Sequence, residues 1–252
     1  MTSPTPVLID TDVAIDDWMA LFYLLSNPAC SVIGITTTGV GAAHLTPGTN
    51  VVLGLLQAAG RSTIPVAAGT SAPLIYSNVF PGSWRAIVDQ AYGVPLPVSS
   101  SSAQPVPAAD FLRSTILGSP SPVTILSIGG GTNLGTLFQQ VSASTLQQLR
   151  ANISGICMMG GVINQVGSVF VPGNVNSFNG DYLNTVAEWN IFIDVLGASL
   201  VLNAGIPITL IPLNACNQVL LDMSFYTQLQ SFVNAKGPSA PAPAQIVYAG
   251  LS

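Results

Sequence analysis

The chain has 252 residues, enough for one large domain or two small ones, and about half of them are apolar, ample for a sizeable core. Only 6% of the residues are charged, where an average protein has about 25%, and ten acids against five bases leave a net charge of −5. That balance excludes a general nucleic-acid binder, which needs a basic stripe to displace counterions from phosphates, and argues against a polybasic membrane contact.

In chain order, Val7-Leu8-Ile9 is predicted as a buried strand. Residues 16–26 (DDWMALFYLLS) read as a helix that Asn27-Pro28 ends. Residues 31–37 form a second strand, 47–60 a helix with Pro near its start and Gly at its end, and 65–67 a short strand. A helix at 108–117 and a strand at 123–128 follow, then helices at 132–140 and 144–150 and a strand at 156–159. Residues 186–203 read as one helix, 208–211 as a strand and 225–234 as a helix. Continuous apolar strands between helices predict an α/β fold: an open, mostly parallel sheet flanked by helices, in a single domain over 1–252. Two stretches resist this pattern, a Pro- and Ser-rich one at 70–106 and a Gly- and Asn-rich one at 164–184. Loops of this length are expected to be functional or disordered. The last fifteen residues, with PSAPAPAQ, read as a linker leading to more protein.

Mean hydropathy is high, at +0.57. A membrane span needs about 20 apolar residues, and the richest candidate, Trp189 to Leu213, is broken by Asn190, Asp194, Asn203 and Pro207. Part of so apolar a surface is expected to be buried in an oligomer. Residues 1–9 carry no Lys or Arg, so no secretory signal is visible and the default expectation is cytoplasmic, with an extracellular location left open. Cys30, Cys157 and Cys216 form no CxxC pair and are expected to be isolated buried thiols.

Four of the ten acids, Asp10, Asp12, Asp16 and Asp17, lie within eight residues (IDTDVAIDD), and no basic residue precedes Arg61. Close carboxylates repel and raise one another's pKa unless a cation intervenes. The strand ends near Asp10, which puts the cluster at the carboxyl edge of the sheet, where ligands bind in open α/β folds. Asp16 and Asp17 fall in the first turn of the next helix, where anions are favoured. Capping accounts for one or two of these residues, not four. A hard divalent cation held by carboxylate oxygens accounts for all. An EF-hand does not fit: counted from Asp10, its Gly and Glu positions hold Ile15 and Leu21. A phosphatase of the haloacid-dehalogenase type shares only Asp10-Thr11-Asp12 and needs a later lysine, while Lys236 is the only lysine here. Gly39 to His44 approaches G-x-G-x-x-G, but His44 replaces the third glycine and no acid follows about twenty residues on, so a dinucleotide site is not expected. No G-x-S-x-G elbow exists for a triad to use His44, which reads as a loop or partner-facing residue.

The whole stretch IDTDVAIDDWMAL resembles the N-terminal signature of the nucleoside hydrolases, the inosine–uridine-preferring family. Further matches follow in order: PVAAG at 65–69, Gly131-Thr132-Asn133-Leu134, Met159-Gly160-Gly161, and Ala187-Glu188-Trp189-Asn190-Ile191 followed by Asp194. The resemblance covers roughly residues 6–235. It implies hydrolysis of the N-glycosidic bond of ribonucleosides, giving ribose and free base for purine or pyrimidine salvage, with Ca²⁺ as cofactor. Asp12, Asp17 and the backbone carbonyl of Thr132 are the implied metal ligands. Asp12 is the implied general base, with Asp10 supporting the cluster from behind. Asp16 is implied to accept from the 2′-hydroxyl and Asn190 to bond the 3′-hydroxyl. Glu188, helped by Asn174, is implied to face the 5′-hydroxyl, and Met159 to line the sugar floor. The plainer readings are helix-surface polarity for Glu188 and Asn190, a turn residue for Asn174, and core packing for Trp189. The partner is then a small nucleoside, without nucleic acid or membrane, and the assembly a homo-oligomer, dimer or tetramer.

The sequence departs from the family late in the chain. Relatives carry another Asp there, as a third carboxylate ligand, preceded by a residue proposed to protonate the leaving base. Neither is found after Asp222, and Asn214 stands where relatives often have Asp. The expectation is a member lacking the family's C-terminal segment or divergent in it, with weakened metal binding and slowed purine release. Two readings therefore remain: a Ca²⁺-dependent hydrolase, and a family-derived binding protein that keeps the ribose pocket without turnover.

Overall fold

The computed structural model describes residues 3–175, 184–219 and 221–252. In chain order the elements are β1 (Thr5–Thr11), α1 (Ile15–Ser26), β2 (Cys30–Thr37), α2 (Leu45–Ala58), β3 (Val66–Ala68), α3 (Gly82–Asp89), α4 (Ala108–Gly118), β4 (Val123–Ser127), α5 (Thr132–Gln140), α6 (Ala143–Asn152) and β5 (Ile153–Met159). A small antiparallel hairpin follows, β6 (Gln165–Val166) with β7 (Val169–Phe170). Then come α7 (Trp189–Ile193), α8 (Val195–Leu202), β8 (Ile208–Ile211), α9 (Leu213–Cys216), α10 (Met223–Lys236) and α11 (Ala242–Leu251).

Six strands form one parallel sheet in the order β3-β2-β1-β4-β5-β8, as the alternating pattern predicts. The fold is α/β, with helices over both faces. Side chains alternate along β1: Val7 and Ile9 join one core with Trp18, Leu21 and Val52, while Leu8 joins the other with Ile116, Ile125 and Leu137. With both faces covered, β1 is apolar from Pro6 to Ile9, until Asp10. The order reverses beside β1, since β2 and β3 lie to one side and β4 to the other. The carboxyl end of β1 therefore opens into the crevice where such sheets bind ligands.

Four sequence expectations change. The helix expected at 186–203 is two helices, because Asp194 takes a non-helical conformation (φ −147°, ψ 81°) and turns its carboxylate to the Gly197 N–H as the cap of α8. The long loop at 70–106 contains α3. The segment expected to be a linker is helix α11, with a proline in its first turn, where a missing N–H costs nothing. The three cysteines are half-buried rather than fully buried. Residues 176–183 of the Gly- and Asn-rich stretch lie outside the described residues. Among the described residues no helix is long and apolar enough to cross a membrane.

Candidate active site

The turn from β1 into α1 sets the acidic cluster. Val13 sits at φ 75°, a strained conformation for a β-branched residue. It is held by its N–H on the Thr11 hydroxyl (3.0 Å) and by Trp18 Nε1–H on its carbonyl (3.1 Å). Strain of this kind persists where the surroundings over-determine it, and it gathers at working sites. Here it turns the chain so that Asp12 and Asp17 face one another.

Each acid has its own surroundings. Asp10 is fully buried; Thr36 on β2 and Asn133 on α5 both donate to its Oδ1 at 2.7 Å, and Oδ2 has no partner. Burial pushes its carboxyl up to about 6, against those two hydrogen bonds. Asp12 is buried and accepts from the Ala42 N–H at Oδ2 (2.9 Å). Asp17 accepts at Oδ2 from the Thr11 hydroxyl (2.8 Å) and the Ala14 N–H (3.0 Å), capping α1 from within. Burial raises the pKa of both, and for Asp17 the charges of Asp12 and Asp16 add to it. The Asp12 and Asp17 carboxyls lie within hydrogen-bonding reach of each other. Two carboxylates hold that arrangement only with a shared proton or a cation between them. Asp16 is exposed at the rim.

Asp12, Asp16 and Asp17 line a cavity of about 210 Å³, and Asp10 does not reach it. Ile128, Met159, Asn174, Glu188, Trp189 and Asn190 line the same cavity. Glu188 caps α7: Oε1 accepts from the Asn190 N–H (2.9 Å), and Oε2 from those of Gly161 (2.8 Å) and Ile191 (3.1 Å). Its pKa is nevertheless raised, chiefly by burial. Asn174 accepts from the Trp189 N–H (3.0 Å). The Asn190 amide makes long contacts to the carbonyls of Ile128 (3.3 Å) and Met159 (3.4 Å) and a contact to Met159 Sδ at 3.1 Å. Trp189 stacks on Phe80 at 4.6 Å, so it is both packed and cavity-lining. A second, largely apolar cavity of about 290 Å³ shares Ala14, Ala42, Phe80 and Trp84 with the first.

The structure thus brings together Asp12, Asp16, Asp17, Met159, Asn174, Glu188 and Asn190, and places Asp10 directly behind them. Thr132 is the exception. It opens α5, is fully buried, gives its hydroxyl to Asp194 (2.7 Å), and its carbonyl accepts from the Thr136 hydroxyl (2.7 Å). It does not line the cavity. Ile128, one residue past β4 and bonded through its N–H to the Asp10 carbonyl (2.9 Å), does. Sequence reading also missed the 39–43 loop over Asp12 and the role of Asp194, whose carboxylate accepts from Thr132, from the Leu74 N–H and from the Gly197 N–H. His44 pairs with Asp89 at 2.6 Å on the surface, away from the cavity walls.

The donor set fits a hard cation: two buried, mutually repelling carboxylates in a cavity that Ile128 also lines. Among the described residues no three carboxylate, imidazole or thiol groups form a closed cage, so water or substrate oxygens would complete the coordination. Among the described residues no cation makes a salt bridge with the cluster. Arg85 gives its guanidinium to the carbonyls of Gly39 and Ala43, and Arg61 reaches the Leu25 carbonyl.

The sequence model of the family described as inosine-uridine preferring nucleoside hydrolase matches residues 7–249. The chain is 33% identical over 221 residues to the pyrimidine-specific ribonucleoside hydrolase RihA of Shewanella woodyi, covering 84% of this chain and 61% of that protein. It is 30% identical to uridine nucleosidase 1 of Arabidopsis thaliana, covering 85% of this chain and 58% of that protein. Among solved structures, a plant nucleoside hydrolase (PpNRh1) superposes with a TM-score of 0.80 at 27% identity, covering 98% of this chain and 70% of that one. The chain spans about three fifths of the length of these two curated relatives.

Proposed function

The chain belongs to the inosine-uridine preferring nucleoside hydrolase family, and from that premise we propose that it hydrolyses the N-glycosidic bond of ribonucleosides to ribose and free base, with Ca²⁺ held at Asp12 and Asp17. The observation that carries this reading is the pairing of those two buried carboxyls in a cavity that Glu188, Asn174 and Asn190 also line. The carbonyl of Ile128 takes the ligand role that the sequence assigned to Thr132. When bound, the cation supplies a Lewis acid that lowers the pKa of a neighbouring water and orients sugar hydroxyls.

Asp12 is the general base. Its Oδ2 is fixed by the Ala42 N–H, leaving the rest of the carboxylate to take the proton of the attacking water. The water oxygen bonds to the anomeric carbon as the carbon–nitrogen bond breaks, and the base departs with the electron pair as an anion that takes its proton from solvent water. The crowded carboxylates favour the positive charge that develops on the ribose. Asp16 at the rim accepts from the 2′-hydroxyl, and Asn190 bonds the 3′-hydroxyl. Glu188 and Asn174 receive the 5′-hydroxyl over the floor made by Met159. The relatives' printed activities, on pyrimidine ribonucleosides and on uridine, make uridine the first substrate to test. A use of Asp10 and Asp12 in phosphoryl transfer is disfavoured, because Asp10 is fully buried behind the cavity. We propose a homo-oligomer as the assembly, on the strength of the exposed apolar side chains described below.

The test is ribose release from uridine and inosine with Ca²⁺. Release should fall by at least about 10³-fold in Asp12→Ala and stop on chelation. Nucleoside binding without release above the Asp12→Ala level would replace hydrolysis with the ribose-binding reading.

A further inference from the structure

Helix α3 lies outside the cavity cluster, yet it clasps the loop that holds the general base. Arg85 is 8% exposed. Its Nη2 donates to the carbonyl of Gly39 and, at 3.0 Å, to that of Ala43, at the two ends of the 39–43 loop. At the last residue of α3, Asp89 accepts the His44 N–H at 2.8 Å and pairs with its ring at 2.6 Å. On its inner side the same loop closes on Asp12. The Ala42 N–H meets Oδ2 at 2.9 Å, and the Ala43 N–H meets the Asp12 carbonyl at 3.1 Å. Gly41 lies so close that a Cβ there would fall 1.9 Å from Oδ2. Among the described residues Arg85 makes no direct salt bridge, and Asp89 and Asp12 act on it only at longer range, so its two carbonyl contacts are what offset the cost of burying a guanidinium at this depth.

We propose that Arg85 is a positioning residue for Asp12, acting through the 39–43 loop. By anchoring both ends of the loop it fixes the direction of the Ala42 N–H. That in turn decides which lone pairs of Asp12 remain for the water and the cation. The inference rests on the hydrolase reading above.

The experiment compares Arg85→Lys and Arg85→Ala with the surface control Arg113→Met, each in the wild-type and the Asp12→Asn background. It reads kcat and KM for ribose release, Ca²⁺ affinity by calorimetry, and the melting temperature. In the wild-type background kcat and Ca²⁺ affinity should fall about 10- to 100-fold in the Arg85 variants, with KM changed far less. Guanidinium ion added at millimolar concentration should restore part of the kcat of Arg85→Ala. In the Asp12→Asn background the same substitutions should change the residual rate and Ca²⁺ affinity by less than about twofold, the non-additivity expected when one residue acts through another. A folded Arg85→Ala with undiminished kcat overturns the proposal, as does an equal loss in both backgrounds. If Arg85→Ala fails to fold, the lysine variant decides alone. A wild-type chain that neither releases ribose nor binds Ca²⁺ removes the hydrolase reading and this inference with it; an active wild type with unaffected Arg85 variants removes only the inference.

Discussion

Asp10 is the most unusual single residue, a fully buried carboxyl with one oxygen doubly bonded by donors and the other unpartnered. Its pKa stands at about 6 in the folded chain against an ordinary 3.8. A carboxyl that binds its proton more readily when folded adds stability below the ordinary value, and that stability is lost as pH rises through about 6. The difference is worth about 3 kcal/mol. Without calcium, the melting temperature should therefore fall between pH 5 and pH 7, and Asp10→Asn should make that slope shallower. A slope unchanged in thermal unfolding would contradict the assignment. Asp17 faces a related conflict, because Asp12 and Asp16 repel it. Asp17→Asn should raise the calcium-free melting temperature while abolishing the rise that Ca²⁺ gives the wild type. The residue suited to the cation is the one that destabilises the protein without it.

At the scale of elements, two connections hold the site. Gly41→Ala places a methyl where Asp12 Oδ2 now lies, so the loop or the carboxyl must move. A displacement of that size should cost about 10²-fold in kcat, with the sheet intact by circular dichroism. Asp194→Ala leaves the Thr132 hydroxyl and the N–H groups of Leu74 and Gly197 without their buried acceptor. Denaturant unfolding should show a loss of about 3 kcal/mol, and less than about 1 would mean that water replaces the carboxylate. The elements themselves were mostly legible, because a strand buried on both faces reads as a continuous apolar run and ends where the first aspartate appears. Asp12 and Asp17 could be placed together for the same reason: a strand end and a first helical turn are both visible in IDTDVAIDD. Ile128 was not legible. Which residue reaches the cavity depends on where α5 begins, and Thr132, inside the helix, is fully buried with its carbonyl bonded to the Thr136 hydroxyl. Asp194 looked like one more polar position on a long helix, since nothing local shows that its carboxylate is claimed by Leu74, 120 residues away in sequence.

At the scale of the whole molecule, charge is placed inside rather than outside. Asp10, Asp12, Asp17, Glu188 and Asp194, five of the nine described acids, are buried. The surface is left with few charges and with exposed apolar side chains such as Val219, Met223 and Phe232 on or just before α10. At one edge of the sheet, β8 leaves Leu210 40% exposed. Such a surface repels its own copies weakly. Light scattering should rise steeply as pH falls toward the isoelectric point near 4.3, and more steeply than for a protein of ordinary charge content.

The central position of β1 has a consequence for how the chain becomes active. Asp10 is gripped by Thr36 from the strand on one side and by Asn133, more than one hundred residues later, from beyond the strand on the other. A folding intermediate with only one flank of the sheet in place would have half of those grips. Distant pairings of this kind form slowly. With Ca²⁺ held at Asp12 and Asp17 as proposed, its uptake followed in time should coincide with the last step of assembly, and the ion would then report completed folding.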